Sequence, residues 1–117
     1  MTSEKTLNLL KKEFDDPKEA EEYAGKYLLR RWTWGSKNRA ISQATKIDLI
    51  KQESILDTGE YQNQTLAQCL ISAPFEHSLK DPNMDMIDNL PCWLGDILIK
   101  HVRLVNRETT VERQKNS

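Results

Sequence analysis

The feature of this sequence that constrains its fold most is an apolar stripe that follows Pro91. Its members recur every three or four residues: Leu94, Ile97, Leu98, His101, Leu104 and Val105. This spacing places them on one face of an α-helix, and proline favours the first position of such a helix. A stripe this wide is unfavourable in water, so we expect the helix to pack against a second apolar face.

The middle of the chain supplies that second face. Asp57 and Glu60 stand three residues apart, which is the spacing of a capping box at a helix start. The helix they begin is expected to continue to Pro74, with apolar positions that include Leu66, Cys69 and Leu70. We therefore predict that this helix and the final helix form the core together.

Shorter helices are expected in three other places. Apolar residues spaced three and four apart after Ser3 predict an amphipathic helix that ends before Pro17: Leu7, Leu10 and Phe14. Asp16 and Pro17 then have the order of an N-cap and a first helical residue, and that second helix is expected to end near Gly25. Thr33 is a suitable N-cap for a third helix over residues 34–45.

Evidence for β-structure is weaker. Residues 27–32 alternate loosely in polarity, which allows a short strand, and residues 46–56 suggest a small hairpin or a loop. The predicted fold class is therefore mainly α, a small helical domain over residues 1–106 with a possible minor β-hairpin. Residues 107–117 contain one apolar residue in eleven, so we expect a disordered C-terminal tail there.

Composition limits the function classes. A chain of 117 residues suits one domain, and 38% apolar with 30% charged residues suits a globular protein rather than a disordered one. No apolar run approaches the ~20 residues that cross a bilayer, and Met1–Lys5 lacks the features of a secretion signal. With two isolated cysteines, a disulfide framework is not expected. These features predict a cytoplasmic protein without membrane contact.

The sequence offers no convincing catalytic or metal centre. The four candidate zinc ligands lack the close paired spacing of structural zinc modules: Cys69, His77, Cys92 and His101. Residues 81–85 imitate the start of a calcium loop, but Met86 stands where glycine must turn the chain. We therefore predict no metal, no cofactor, no catalytic residue and no enzymatic activity.

Charge is segregated along the chain although the net charge is only −1. Residues 23–47 contain six cations and no acid, whereas residues 48–96 contain nine acids and two lysines. The flanking segments carry −3 over residues 1–22 and +3 over residues 97–117. Surfaces with such alternation can pair electrostatically between copies of one chain, so self-association is expected to be possible.

The acid-free segment is the best candidate for partner binding. Thr33 and Gly35 are expected to fix the entry to a helix, with the ring of Trp34 largely buried. Mixed cations and aromatic rings also occur in single-stranded nucleic-acid sites, although the acidic balance of the chain argues against specific recognition. The candidate partner-binding residues are Arg30, Arg31, Trp32, Trp34 and Lys37.

Four segments in a fixed order carry a family resemblance: residues 30–38 with their Thr-Trp-Gly turn, 57–61, 72–75 and 90–96. Over about residues 26–106 they resemble the tail assembly chaperones of long-tailed phages and prophages. Two features differ from that family: Ser36 replaces an acidic residue, and residues 1–25 have no counterpart. We assign structural roles to the turn and helix-start positions Thr33, Gly35, Asp57, Pro91, Trp93 and Gly95.

The resemblance implies a helical protein of the host cytoplasm that coats the tape measure protein and keeps it soluble. Tail tube subunits then replace the chaperone, which is absent from the finished particle. Two other functions remain open. One is a small nucleic-acid-binding regulator that uses the basic segment 23–47, and the other is a structural tail or head-tail connector component.

Overall fold

The computed structural model describes the backbone of residues 4–115 and the side chains of residues 4–107. The strands are β1 (Glu4–Leu9), β2 (Gly25–Arg30), β3 (Thr45–Asp48), β4 (Glu53–Leu56) and β5 (Leu70–Ser72). The helices are α1 (Pro17–Tyr23), α2 (Trp34–Ala44), α3 (Thr58–Cys69), α4 (Met84–Asp88) and α5 (Cys92–Lys115). A single 3₁₀ turn (Lys11–Glu13) follows β1.

The described chain is a mixture of helix and sheet, so the predicted mainly α fold is wrong. One antiparallel sheet has the strand order β1-β2-β5, and the β3–β4 hairpin forms a separate two-stranded sheet. The hairpin lies where the sequence suggested one. The three-stranded sheet was not expected, because its strands come from parts of the chain that are far apart in sequence.

Strand β1 replaces the helix predicted at the N-terminus. It pairs with β2 along its whole length, from Glu4 opposite Arg30 to Leu9 opposite Gly25. Exposure alternates along β1, with Leu9 buried at its end, whereas Leu10 is 47% exposed. The three- and four-residue spacing of leucines was misleading here, because pairing with a buried neighbouring strand outweighs weak local helix preference.

Strand β5 shortens the helix that was predicted to reach Pro74. Helix α3 ends at Cys69, and Leu70 and Ser72 then pair with Leu29 and Leu28 of β2 across an irregular register. The backbone at Gly25 makes this arrangement possible. Its φ of +141° is a conformation that favours glycine, and a Cβ there would lie 2.9 Å from Cγ of Pro74.

Helix starts agree with the sequence. Asp16 Oδ1 accepts from Lys18 N–H at the start of α1, with Pro17 as the first helical residue. Thr33 Oγ1 accepts from Ser36 N–H before α2, and Asp57 Oδ1 accepts from Glu60 N–H before α3. These caps depend on residues within three positions of each other, which is why local patterns identified them.

Strand β2 and helices α3 and α5 share one core. Tyr27 and Leu29 of β2 are fully buried, and the Tyr27 hydroxyl donates to Tyr23 O at 2.7 Å. The predicted packing of the final helix against the middle helix is confirmed, since Leu94 and Leu98 join the cluster that contains Leu66. The buried stripe of α5 is rotated slightly from the predicted one: Leu94, Leu98, Ile99, Val102 and Val105.

The predicted C-terminal tail lies mostly outside the described side chains. The backbone of α5 is described through Lys115, and residues 116–117 are outside the described part of the chain. The disordered tail over residues 107–117 stays a prediction.

The strand at the N-terminus can be tested with neighbouring leucines. We expect Leu9→Ala to lower the free energy of unfolding by ~2–4 kcal/mol, because Leu9 is 6% exposed in the core. Leu10→Ala should cost less than ~0.5 kcal/mol, since its side chain is largely in solvent. Urea unfolding of both variants measures this. A larger loss for Leu10→Ala than for Leu9→Ala would favour the amphipathic helix instead.

Candidate protein-binding surface

The first turn of α2 lies at the centre of the acid-free segment. Thr33 adopts an extended conformation, and its Oγ1 accepts from Ser36 N–H at 3.1 Å. The Ser36 hydroxyl is buried and lies 3.0 Å from the same oxygen. Ser36 therefore completes a compact turn although it lacks the carboxylate of a capping box.

Arg30 is one of the predicted partner-binding residues, but its guanidinium is bonded within the molecule. Its Nε donates to Gln68 O at 2.8 Å, near the C-terminal end of α3, where carbonyl groups favour a cation. Its Nη2 also lies 3.4 Å from Ser36 Oγ. Arg30 therefore links β2 to the helices α2 and α3, and its contacts are those of a structural residue.

Trp32 is half-buried and packs against Tyr61 of α3, with ring centroids 6.2 Å apart. The two rings lie beside a cleft of about 190 Å³ that Ile99, Val102 and Arg103 of α5 also line. That volume is below the ~300 Å³ of typical small-molecule sites. Trp32 therefore packs against α3 and the core beside this cleft.

The ring of Trp34 is 77% exposed, so the prediction of a largely buried Trp34 is wrong. The buried face of α2 consists of small residues spaced four apart: Ser36, Ala40 and Ala44. Trp34 is two residues before Ser36, which places it roughly 200° around the helix from that face. The repeat of small residues is the only trace of the buried side of α2 in the sequence, and it is weak because small side chains add little apolar character.

The outer face of α2 consequently combines an aromatic ring, a cation and an aliphatic side chain. Trp34, Lys37 and Ile41 have i, i+3 and i+7 spacing and are all exposed. Asn38 lies on the same side. We call these four residues the α2 outer face. Arg31 is half-buried at the end of β2 and lies outside this face.

A second exposed apolar surface occurs on the β3–β4 hairpin. Four of its aliphatic side chains are at least half exposed, and a fifth is 43% exposed: Ile47, Leu49, Ile50, Ile55 and Leu56. Ile50 reaches 95% exposure at the turn, where Asp48 Oδ1 accepts from the N–H groups of Ile50 and Lys51. The sequence pattern over residues 46–56 predicted a small hairpin or a loop here, but it did not predict the exposure of the apolar residues.

The other assigned structural residues lie at helix starts. The pKa of Asp57 lies below its usual value for two reasons. Its carboxylate accepts a hydrogen bond from the Glu60 N–H, and the ammonium of Lys46 lies 3.1 Å from its Oδ2. Pro91 immediately precedes α5, and its carbonyl accepts from the N–H groups of Leu94 and Gly95.

Trp93 is 38% exposed and packs edge-on against Phe14, with centroids 5.0 Å apart. A Cβ at Gly95 would meet no atom within 4 Å, so nothing in the described structure requires glycine there.

The histidines and cysteines were weighed as metal ligands from the sequence. Among the described residues, no group of three or more potential ligands is close enough to hold a metal ion. Burial raises the pKa of the Cys69 thiol to about 12, so this thiol is protonated at neutral pH. His77 Nε2 lies 2.7 Å from Leu70 O, and its Nδ1 accepts from Asn83 N–H, which fixes a neutral ring against β5.

No family model, no curated protein and no solved structure matches this chain. Within the described residues, none of the helices combines the length and apolar character that a bilayer span requires.

A pair of tryptophan variants tests the orientation of α2. Trp34→Ala should change the free energy of unfolding by less than ~0.5 kcal/mol, because its ring is in solvent. Trp32→Ala should cost ~1–3 kcal/mol, because its half-buried ring packs on Tyr61. Chemical denaturation compares them, and equal losses would contradict the described orientation.

Acid should destabilise the fold through His77. Burial lowers the pKa of His77 below 6.5, so the loss of stability that comes from protonating this residue is absent above that pH. As the pH falls below 6.5, the unfolded chain binds a proton before the folded chain does, and stability is lost until the folded pKa is passed. We expect His77→Gln to reduce the stability difference between pH 7.5 and pH 5.5, measured by urea unfolding.

His101 contributes in the same direction, since burial, with Lys5 and Lys100, also lowers its pKa. A His77→Gln variant with an undiminished difference between the two pH values would show that His77 is not responsible.

Proposed function

We propose that this protein is a tail assembly chaperone that binds the tape measure protein through the α2 outer face and keeps it soluble. The observation that carries the proposal is the 77% exposure of Trp34 on a regular helix. Tryptophan is a frequent centre of protein interfaces because one ring removes a large apolar area from water. The segment resemblance described above supplies the identity of the partner.

The α2 outer face has the chemistry of a helix-binding surface. An exposed helical stripe with an aromatic residue and an aliphatic residue about two turns apart matches the spacing by which one helix packs along another. Lys37 between them adds a cation that can pair with acids on the partner and exclude partners of like charge. A single short stripe gives modest affinity, which suits a chaperone that tail tube subunits must displace.

The proposed location follows from the proposed partner. A chaperone that covers the tape measure protein before tail tube assembly works in the host cytoplasm and is absent from finished particles. A structural tail or head-tail connector component would instead remain in purified particles, so its presence there would replace the chaperone proposal.

Co-expression with a tape measure protein tests the function. We expect the wild-type chain to increase the soluble fraction of that protein and to co-elute with it in gel filtration at low salt. Trp34→Ala should remove both effects while retaining the stability of the fold. The matched control is Leu10→Ala, which also removes an exposed apolar side chain but lies outside the α2 outer face. A Trp34→Ala variant as effective as wild type would contradict the proposed surface.

One observation favours a second candidate function. The exposed ring of Trp34 near the cation Lys37 is also an arrangement on which a single-stranded base can stack. Arg30, however, is bonded to Gln68 O within the molecule, which removes one cation from the basic segment. Binding of single-stranded oligonucleotides at physiological salt, lost in Trp34→Ala, would support the regulator instead of the chaperone.

A further inference from the structure

The β3–β4 hairpin is a two-stranded sheet whose outer edges pair with no other strand of the described chain. An isolated two-stranded hairpin is marginally stable in water, and a sheet usually needs three or more strands or a packed face. An exposed edge strand is also a template for pairing with another strand. The hairpin therefore presents both the backbone groups and the apolar side chains that a further strand would use.

The hydrogen-bond pattern shows which residues of β3 point to the free edge. Asp57 N–H donates to Ala44 O at 2.9 Å, so this pair is hydrogen-bonded across the hairpin. The direction of backbone groups alternates along a strand. The groups of Lys46 and Asp48 therefore point toward β4, while those of Ile47 point away from β4 to the free edge.

We propose that two copies of this chain pair antiparallel through their β3 edges, with Ile47 on the two-fold axis. The Ile47 residues of the two copies then exchange two backbone hydrogen bonds. Lys46 of each copy lies opposite Asp48 of the other, as a non-hydrogen-bonded pair, in which side chains are closest. A two-fold axis repeats both contacts, because each copy presents the same surface to the other.

Charge selects this register over its neighbours. A shift that centres the pairing on Lys46 places two lysines opposite each other, and a shift that centres it on Asp48 places two acids opposite each other. Like charges directly opposite are destabilising in antiparallel sheets. Only the register centred on Ile47 brings opposite charges together at both flanking positions.

The apolar side chains agree with the same register. Ile47 lies opposite Ser54 and Leu56 lies opposite Thr45, so Ile47 and Leu56 share one face of the hairpin. Their side chains are 71% and 43% exposed. Pairing through β3 creates a four-stranded sheet in which the two Ile47 side chains lie next to each other. This face then loses apolar contact with water.

The edge of β4 is less suitable for pairing with a second copy. Its outward-pointing residues are Ser54 and Leu56, by the same alternation. A register centred on Ser54 places two hydroxyl groups on the axis and joins no opposite charges within the strand. A register centred on Ile55 places Glu53 opposite Asp57, which are both acidic. The β3 edge is therefore the surface that a second copy fits.

Complementary charge variants test the pairing in the full-length chain. Lys46→Asp places two acids on each β3 edge, and Asp48→Lys places two lysines there. In sedimentation velocity at concentrations up to about 1 mM, wild type should dimerise; this range covers dissociation constants as weak as about 1 mM. The dissociation constant of each variant alone should be at least ~10-fold higher than that of wild type. An equimolar mixture of the two variants should recover the dimer, because each acid then faces a lysine.

Three results would overturn the proposal: a monomeric wild type at every concentration, variants that dimerise alone as strongly as wild type, or a mixture that stays monomeric with intact hairpins. Hydrogen exchange of the Ile55 N–H reports whether each hairpin is intact. This control is needed because Asp48 also bonds the turn through Ile50 and Lys51, and because Lys46 is ion-paired with Asp57 at the end of the hairpin.

A cysteine pair provides evidence that depends on neither Lys46 nor Asp48. In a Cys92→Ser background, Ile47→Cys should form an intermolecular disulfide under mild oxidation, because Cα atoms ~5.5 Å apart suit this bond. Ile55→Cys, on the other face of β4, should cross-link at least ~10-fold more slowly. Equal rates would contradict the register.

The dimer does not use the α2 outer face, so Trp34→Ala should leave cross-linking unchanged. The two proposals can therefore fail separately.

Discussion

The rest of the structure depends on the backbone of strand β2, which needs hydrogen-bond partners on both of its edges. This need arises because helix α5 packs against the strand and shields it from water. Tyr27 and Leu29 are fully buried, so the backbone of β2 has little access to water. Unpaired backbone groups in such a position cost free energy comparable to a lost hydrogen bond. Strand β1 supplies the bonds on one side, β5 supplies them on the other, and α5 contacts the same strand.

This requirement explains which parts of the fold could be predicted from sequence. Caps at Asp16, Thr33 and Asp57 involve neighbouring residues, and the pattern of the final helix is contained in one segment. Strands β1 and β5 form because β2 lacks partners, which is a condition set elsewhere in the chain. The three-residue strand β5, following directly on α3, has almost no pattern of its own. Local periodicity therefore assigned both segments to helices.

The candidate site was predictable in composition but not in geometry. The acid-free segment does contain exposed Trp34 and Lys37, yet Arg30 is bonded inside the molecule and Trp32 is packed on Tyr61. Sequence showed which side chains are cationic or aromatic. It could not show that α2 buries Ser36, Ala40 and Ala44, because small residues give a weak apolar signal. That packing is what turns Trp34 to solvent.

The two proposed surfaces have a joint consequence. Helix α2 runs directly into β3, so a dimer formed through β3 presents two α2 outer faces from one assembly. Binding of one face to a long helical partner raises the effective concentration of the second face near the same partner. A chaperone with modest affinity at each site can thus cover an extended helix and still be displaced in steps.

The central claim is that Trp34 is in water in the free protein and is buried by the partner. The most direct measurement is the fluorescence of a chain in which Trp32 and Trp93 are replaced by phenylalanine, leaving Trp34 as the only tryptophan. We predict a spectrum typical of an exposed indole for the free chain and a blue shift when a tape measure protein lacking tryptophan is added. A blue-shifted spectrum before addition, or an unchanged spectrum in a complex that forms, would contradict the claim.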